Sequence, residues 1–373
     1  MSYSITRTKV IRPRRARDLL SRPRLLGLLE DLLEYRLALV TAPAGYGKTS
    51  LLVDFAEQAP YPVCWLSLDA LDRNPVRFVS YLTAAIQEQF PAFGGPSRSL
   101  ISNLDTADID QRRILHTIIN DLYEHIEEHF ALVLDDFHLV EDDPWVSEFI
   151  NRFAQEVDEN CHLVISSRSL LSLPDLPLMV GRSQVKGLSF EELAFDPGEI
   201  QKLYKHKYQQ DMSPQDAQAA AARTEGWITG LLLTAETDRQ KPTDHDRAAR
   251  AAGVDLYDYL ARQVLDQQTQ EMQQFLLHSA LLEEFDAALC QQALGPPPGE
   301  RSWDALISEL MHMNLFIQPV ENGGTWLRYH HLFGDFLRQR ALEIDPQGTR
   351  AVREKLVAVY SEKGWWEKAY AVC

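Results

Sequence analysis

Cysteine is scarce: Cys64, Cys161, Cys290 and Cys373 are the only four in 373 residues, far apart and without C-x-x-C spacing. Such a distribution indicates neither a zinc site nor a disulfide framework, and free thiols fit a reducing cytoplasm, the expected location. Long apolar runs are also missing. No stretch approaches the roughly 18 uninterrupted apolar residues of a membrane span, and the charged N-terminus lacks the apolar segment of a signal peptide, so no membrane partner is expected. Positive charge is in deficit, with 37 Lys and Arg against 54 Asp and Glu and a net charge of −17. That balance argues against a large nucleic-acid surface within these residues and against binding to anionic lipid. The exception is the start of the chain, where Arg7, Lys9, Arg12, Arg14, Arg15, Arg17, Arg22 and Arg24 crowd together. This is either a basic arm that holds phosphate or contacts a partner, or a solvated tail.

What is present is apolar content of 45%, enough to give each of two or three domains of about 150 residues a core. The central feature is Leu37-Ala38-Leu39-Val40-Thr41-Ala42-Pro43-Ala44-Gly45-Tyr46-Gly47-Lys48-Thr49-Ser50. A short buried strand gives way to small residues, then Gly-Lys-Thr, then a helical pattern through Ala56, which is the order of a phosphate-binding loop. Backbone N–H groups of Ala44, Gly45, Tyr46, Gly47 and Ser50 would converge on phosphates at the positive end of the helix. Lys48 would reach the β- and γ-phosphates and the Thr49 hydroxyl would hold Mg²⁺. Ala42 stands where the first glycine of the motif is usual, which is acceptable if that position does not need positive φ. Val10 and Ile11, in chain entering before the loop, are candidates to cover an adenine; simple packing is the alternative.

The rest of the first 195 residues reads as an α/β domain. Residues 8–24 are expected to be extended, and a helix opens at Pro23 with Leu25, Leu28, Leu29, Leu32 and Leu33 on one face. Strands are predicted at 62–68, 130–135, 162–168 and 184–188, helices at 75–90 and 108–126, and a Gly/Pro/Ser-rich loop at 91–104. The apolar run Phe130–Leu134 ends in Asp135 and Asp136, carboxylates at the strand end where α/β sheets bind ligands. Asp135 fits a Mg²⁺-orienting acid; Asp136 is either a water-activating acid or a helix cap. Arg168 is placed either as a sensor of the γ-phosphate or as an ion-pair partner of a nearby acid.

From 196 to 252 only helices are predicted, the first starting at Pro197, a second capped by Ser213 with Pro214 behind it, and a third following Trp227. Residues 239–250 read as a polar connector. Between 253 and 345, helices followed by two short strands around Asn322-Gly323-Gly324 suggest a winged-helix domain. Residues 346–373 read as the first helix pair of a repeat array that continues beyond Cys373.

Together these motifs resemble the STAND class of signal-transduction ATPases, specifically the MalT-like group of LuxR-family transcription activators. The resemblance rests on the loop at 41–49, on Leu132-Val133-Leu134-Asp135-Asp136-Phe137-His138, on Ile165-Ser166-Ser167-Arg168, on Thr224-Glu225-Gly226-Trp227, and on Tyr329-His330-His331-Leu332-Phe333. It implies a nucleotide-binding domain, a helical domain and a winged-helix domain that clamp ADP in a resting monomer. An inducer bound by a following sensor would let ATP in and permit homo-oligomerisation. It also implies that His330 touches the nucleotide phosphates and that Arg22 falls where the family has an arginine in the helix before the loop. Ile228 stands where the wider class has proline, and DNA binding would need a further C-terminal domain. Two other readings are an ordinary ATPase or kinase whose turnover is the output, and a non-hydrolysing nucleotide-stabilised module.

Overall fold

Each of the five apolar runs read as strands forms one: β1 (Leu37–Thr41), β2 (Val63–Ser67), β3 (Phe130–Asp135), β4 (Cys161–Ser167) and β5 (Val185–Leu188). The computed structural model describes residues 5–102, 110–237, 260–299, 301–320 and 326–372. It divides into two compact units, Met1–Ala42 with Tyr46–Leu193, and Pro43–Gly45 with Ala194–Cys373. In the first unit the strands lie in the order β2-β3-β4-β1-β5, all pairings parallel. Every residue of β3 and β4 is buried. A sheet covered on both faces requires continuous apolar strands, which is why these runs do not alternate.

The helices between strands start where their capping residues dictate. Asn74 accepts from Arg77 N at 3.0 Å at the head of Pro75–Gln87, and Asp143 accepts from Trp145 N and Val146 N, each at 3.0 Å, at the head of Pro144–Glu156. Both helices carry proline at their first position, where its missing N–H costs nothing. Register places Thr41 beside Ser167 and Ser67 beside Asp135. The C-terminal ends of β1, β3 and β4 therefore meet at one sheet edge.

Three expectations need correction here. Residues 91–104 are not all loop, since Gly95–Ser102 is helical. Its cap comes from far along the chain: Asp121 Oδ2 accepts from Ser97 N at 3.1 Å and from Ser97 Oγ at 2.6 Å, satisfying a first-turn donor that no local residue serves. Residues 8–24 are not uniformly extended, because Arg7–Val10 forms one helical turn. Lys9 Nζ fixes that turn between Asp69, at 2.7 Å, and the fully buried Asp72. The helix at Pro23 stops at Leu29, and Leu32 and Leu33 fall in a separate 3₁₀ turn, Leu32–Glu34.

The second unit opens with the predicted helices Pro197–Tyr208, Pro214–Thr224 and Ile228–Thr237. Asp196 and Glu199 form a capping box on the first, and Ser213 accepts from Asp216 N at 3.1 Å on the second. The connector predicted at 239–250 lies outside the described residues. Helices Gln270–Ser279, Ala287–Leu294 and Trp303–His312 then precede β6 (Ile317–Pro319), which pairs antiparallel with β7 (Leu327–Tyr329). The glycine turn predicted between them also lies outside the described residues. Phe285 extends this small sheet through two 2.9 Å hydrogen bonds with Leu327. Phe275, Phe285, Tyr329, Phe333 and Phe316 interlock edge-on or tilted beneath it, the packing aromatic pairs prefer. This is the winged-helix arrangement. His331–Ile344 follows, then the pair of helices Pro346–Glu362 and Trp366–Val372. No helix among the described residues is long and apolar enough to cross a membrane.

Candidate functional site

The loop after β1 ends at Gly47, whose φ of 83° sets the start of the helix Lys48–Gln58. Among the described residues no side chain caps that helix. Its first-turn N–H groups and its positive dipole end therefore face outward as a receptor for anionic oxygen. Ala42 is fully buried and is not among the described residues with positive φ, so alanine replaces the usual glycine without strain. Tyr46 is buried, with its ring edge-on to Phe190 at 6.2 Å. Ser50 is exposed in the first helical turn.

Lys48 is buried and donates to Ala42 O at 2.7 Å. Burial, and then the Arg168 guanidinium, push its pKa down to about 8, against the pull of Asp136 and Asp135. A cation held this far below its ordinary range favours a site where an anion will complete it. Thr49 Oγ1 lies 3.1 and 3.0 Å from the two carboxylate oxygens of Asp135. Ser166 Oγ donates to Asp135 as well and accepts from Asp136 N at 3.1 Å. Burial pushes the Asp135 carboxyl up, an effect the Ser166 hydrogen bond opposes. A hydroxyl and a buried carboxylate side by side suit a small hard cation.

Asp136 adopts φ 61° and makes no cap hydrogen bond to the 3₁₀ turn Phe137–Leu139. The cap alternative therefore lacks the contact it requires. Its carboxylate side chain is 40% exposed, and Oδ1 lies 3.8 Å from His138 Nδ1. Burial, then Arg168 and Lys48, lower the His138 pKa to about 3, so this imidazole stays neutral. Arg168 is half-buried and makes no hydrogen bond or ion pair among the described residues. The ion-pair alternative for it thus finds no partner.

The first unit brings Lys48, Thr49, Asp135, Asp136 and Arg168 to one edge, and leaves other candidates elsewhere. Val10 is 2% exposed in the hydrophobic core, packed on β2 and on Pro75–Gln87, while Ile11 is 42% exposed. β2 is the sheet's far edge strand, separated from β1 by β3 and β4. The packing alternative describes Val10. Arg22 is buried, donates from Nη1 to Leu193 O at 2.7 Å, and precedes the helix Pro23–Leu29.

Within the second unit, the loop residues Ala44 and Gly45 are held by the segment after Thr224. Trp227 is fully buried and donates from Nε1 to Ala44 O at 3.0 Å. Thr229 donates to Gly45 O from Oγ1 at 3.0 Å. Gly45 has φ 80°, and a Cβ there would come within 2.8 Å of both Thr229 Cβ and Trp227 Nε1. The Trp227 ring packs edge-on against Phe316 and His330, at 5.1 and 5.8 Å. His330 is 1% exposed; its Nε2 lies 2.8 Å from Thr224 O, and its buried Nδ1 has no partner among the described residues. Burial lowers its pKa despite the nearby Glu225, so the ring is neutral.

Glu225 organises the same corner. Its carboxylate accepts from Arg328 Nη1 at 3.0 Å, Gln318 Nε2 at 2.6 Å and His331 N at 3.3 Å, tying β6, β7 and the helix His331–Ile344 to the end of Pro214–Thr224. Trp227, Thr229, Ser166 and Glu225 had no assigned role from sequence. Only tandem serines ending a strand, and a Thr-Glu-Gly-Trp between two helices, hinted at them.

Residues 261–349 match the family described as the MalT winged helix domain. The HTH-type transcriptional regulator MalT of Cronobacter sakazakii is 34% identical over 344 residues, 89% of this chain and 36% of that protein. Its counterpart in Klebsiella pneumoniae is 33% identical over 360 residues, 94% of this chain and 39% of that protein. The chain thus spans little more than a third of the length of these relatives. Among solved structures, a Walker-type ATPase of Pyrococcus abyssi superposes with a TM-score of 0.59 at 18% identity, covering 88% of this chain and 99% of that one, a likeness of fold. Residues 261–349 are thus a MalT-type winged helix, and over the length it shares with these relatives the chain is similar to the MalT regulators.

Proposed function

We propose that this chain is the nucleotide-holding part of a signal-transduction switch, resting with ADP and activated with ATP. The observation that carries the reading is the link from Ala44 O through Trp227 to His330. It couples the backbone of the loop to a winged-helix imidazole with a buried, unpartnered Nδ1. The uncapped helix start at Lys48 and the Lys48 ammonium fit a nucleotide's phosphates, and Thr49 with Asp135 fits Mg²⁺. When bound, Mg²⁺ would supply positive charge against the phosphate oxygens. Lys48 would neutralise phosphate charge, Asp136 would orient and deprotonate a water, and Arg168 would respond to the outermost phosphate. With Nε2–H given to Thr224 O, neutral His330 offers an acceptor at Nδ1, so it would take up a proton there to donate to a phosphate oxygen of the resting form's nucleotide. A nucleotide bound better by one form shifts the population toward it by that difference in affinity.

In this reading residues 1–195 form the nucleotide-binding domain, 196–252 the helical domain, 253–345 the winged helix and 346–373 the start of a repeat. An inducer-sensing segment, a DNA-binding domain and homo-oligomerisation belong to the whole protein in its cytoplasmic setting. Slow ATP hydrolysis resets the switch.

The test is the nucleotide released when freshly purified protein is denatured, identified by ion-exchange chromatography against ADP and ATP. Stoichiometric ADP supports the switch; an empty site with rapid steady-state turnover rejects it in favour of an ordinary ATPase. Asp136→Asn should abolish turnover and leave nucleotide binding intact. Absence of turnover in the wild type would favour the non-hydrolysing module, and turnover unchanged by the substitution would take the hydrolytic role away from Asp136.

A further inference from the structure

Away from the loop, the second unit contains a cavity of about 440 Å³. The segment Leu281–Glu284, the end of β7 and the helix His331–Ile344 meet there with the helix pair Pro346–Glu362 and Trp366–Val372. That size suits a small molecule. Four cationic side chains, Arg328, Arg338, Arg353 and Lys368, line it against two carboxylates, Glu283 and Glu284. Glu225 and Asp335, just outside the lining, pair with Arg328 and Arg338, so the cavity's pull on an anion rests on whichever cation is left without a partner.

Three of the cations are occupied. Arg328 reaches Glu225 Oε1 at 3.0 Å, Arg338 reaches Asp335 Oδ1 at 2.7 Å, and Lys368 reaches Glu284 Oε2 at 2.6 Å. Arg353 is not. It is half-buried and makes no hydrogen bond or ion pair among the described residues. Seven residues on, and so on the same face of the helix Pro346–Glu362, Tyr360 also lines the cavity. Tyr360 is 1% exposed, and its hydroxyl has no hydrogen-bond partner among the described residues. Burial pushes its pKa up to about 12, so it remains a donor. A guanidinium fork and a phenol, both unpaired and two helical turns apart, are donors without an acceptor.

We propose that this cavity binds a small organic anion, whose carboxylate or phosphate group is taken by the Arg353 guanidinium with the Tyr360 hydroxyl as second donor. Guanidinium matches either group with two parallel hydrogen bonds. The cavity's position between the winged helix and the following helices lets an occupant bridge the two. The inference does not depend on the nucleotide reading.

The test is isothermal titration of the 373-residue chain with citrate, and separately with inorganic phosphate, at constant ionic strength and pH. Wild type, Arg353→Ala, Arg353→Lys, Tyr360→Phe and Lys48→Ala are compared, with far-UV circular dichroism on each. Saturable binding is expected, weakened roughly tenfold or more by Arg353→Ala and less by Arg353→Lys and Tyr360→Phe; Lys48→Ala removes only the share of the signal that belongs to the loop, and the Arg353-dependent share persists in it. Binding abolished by Lys48→Ala but kept in Arg353→Ala would place the anion at the loop and overturn the proposal. Absence of saturable binding to either anion would overturn it too, leaving an acidic segment of another chain region as the better occupant.

Discussion

Trp227 Nε1 donates to Ala44 O at 3.0 Å across 183 residues of sequence. The same ring packs against His330, so one buried indole joins a loop carbonyl to the winged helix. Each side of that indole does separate work. The N–H satisfies a buried acceptor, and the ring supplies edge-to-face apolar contact to Phe316 and the imidazole.

Trp227→Phe keeps most of the apolar contact and deletes the donor. Leaving a buried carbonyl unsatisfied costs about 1–3 kcal/mol, so urea unfolding should show a loss of that size. Equal stability of the variant and wild type would show that water or another donor serves Ala44 O.

Gly226 is a second fixed point of the same motif. Its φ is 72°, and a Cβ there would lie 2.6 Å from Phe195 N and 2.8 Å from Phe195 O, both backbone atoms that cannot swing aside. Gly226→Ala is expected to destabilise by more than about 1 kcal/mol, from positive φ and overlap together. Thermal unfolding would measure it, and a melting temperature unchanged from wild type would contradict the close approach.

Lys48 carries a stability cost for its role. With its folded pKa near 8 and its ordinary value at 10.5, the unfolded chain binds more protons between those limits. Stability should therefore rise with pH from about 8 to 10.5 through this residue. Lys48→Met removes the buried charge along with the hydrogen bond to Ala42 O. We expect it to raise stability by on the order of 1 kcal/mol while weakening nucleotide binding, measured by denaturant titration and by fluorescent-nucleotide binding. A less stable variant would mean that the Ala42 contact outweighs desolvation.

Acid should weaken the fold through histidines buried neutral. Burial lowers the pKa of His330, of His162 and of His138, the last to about 3. In each case the unfolded state, near pKa 6.5, takes up a proton first as pH falls. Their contribution is complete above about pH 6.5 and is lost toward the lower folded values. The urea midpoint should drop between pH 7 and 5, and His330→Gln should flatten that slope by up to about 1.4 kcal/mol per pH unit. An unchanged slope would mean that His330 is protonated in the fold.

The continuous apolar runs at 37–40, 130–134 and 163–165 pointed to a parallel sheet by themselves, because strands covered on both faces need no polar side. Gly47-Lys48-Thr49 and Asp135-Asp136 were legible for a similar reason: the end of a strand and the start of a helix are local events, set by nearby residues. The caps Asn74, Asp143, Asp196 and Ser213 belong to the same class. Contacts between residues distant in sequence were decided only in three dimensions. The helix Gly95–Ser102 exists because Asp121, on another helix, supplies its cap. Val10 is packed in the core beside Lys9, which is pinned between Asp69 and Asp72. Glu225 gathers Arg328, Gln318 and His331, and Trp227 finds Ala44, through distances that no periodicity encodes. Local patterns specify the elements and their ends; the partners of buried polar groups are settled only when those elements pack.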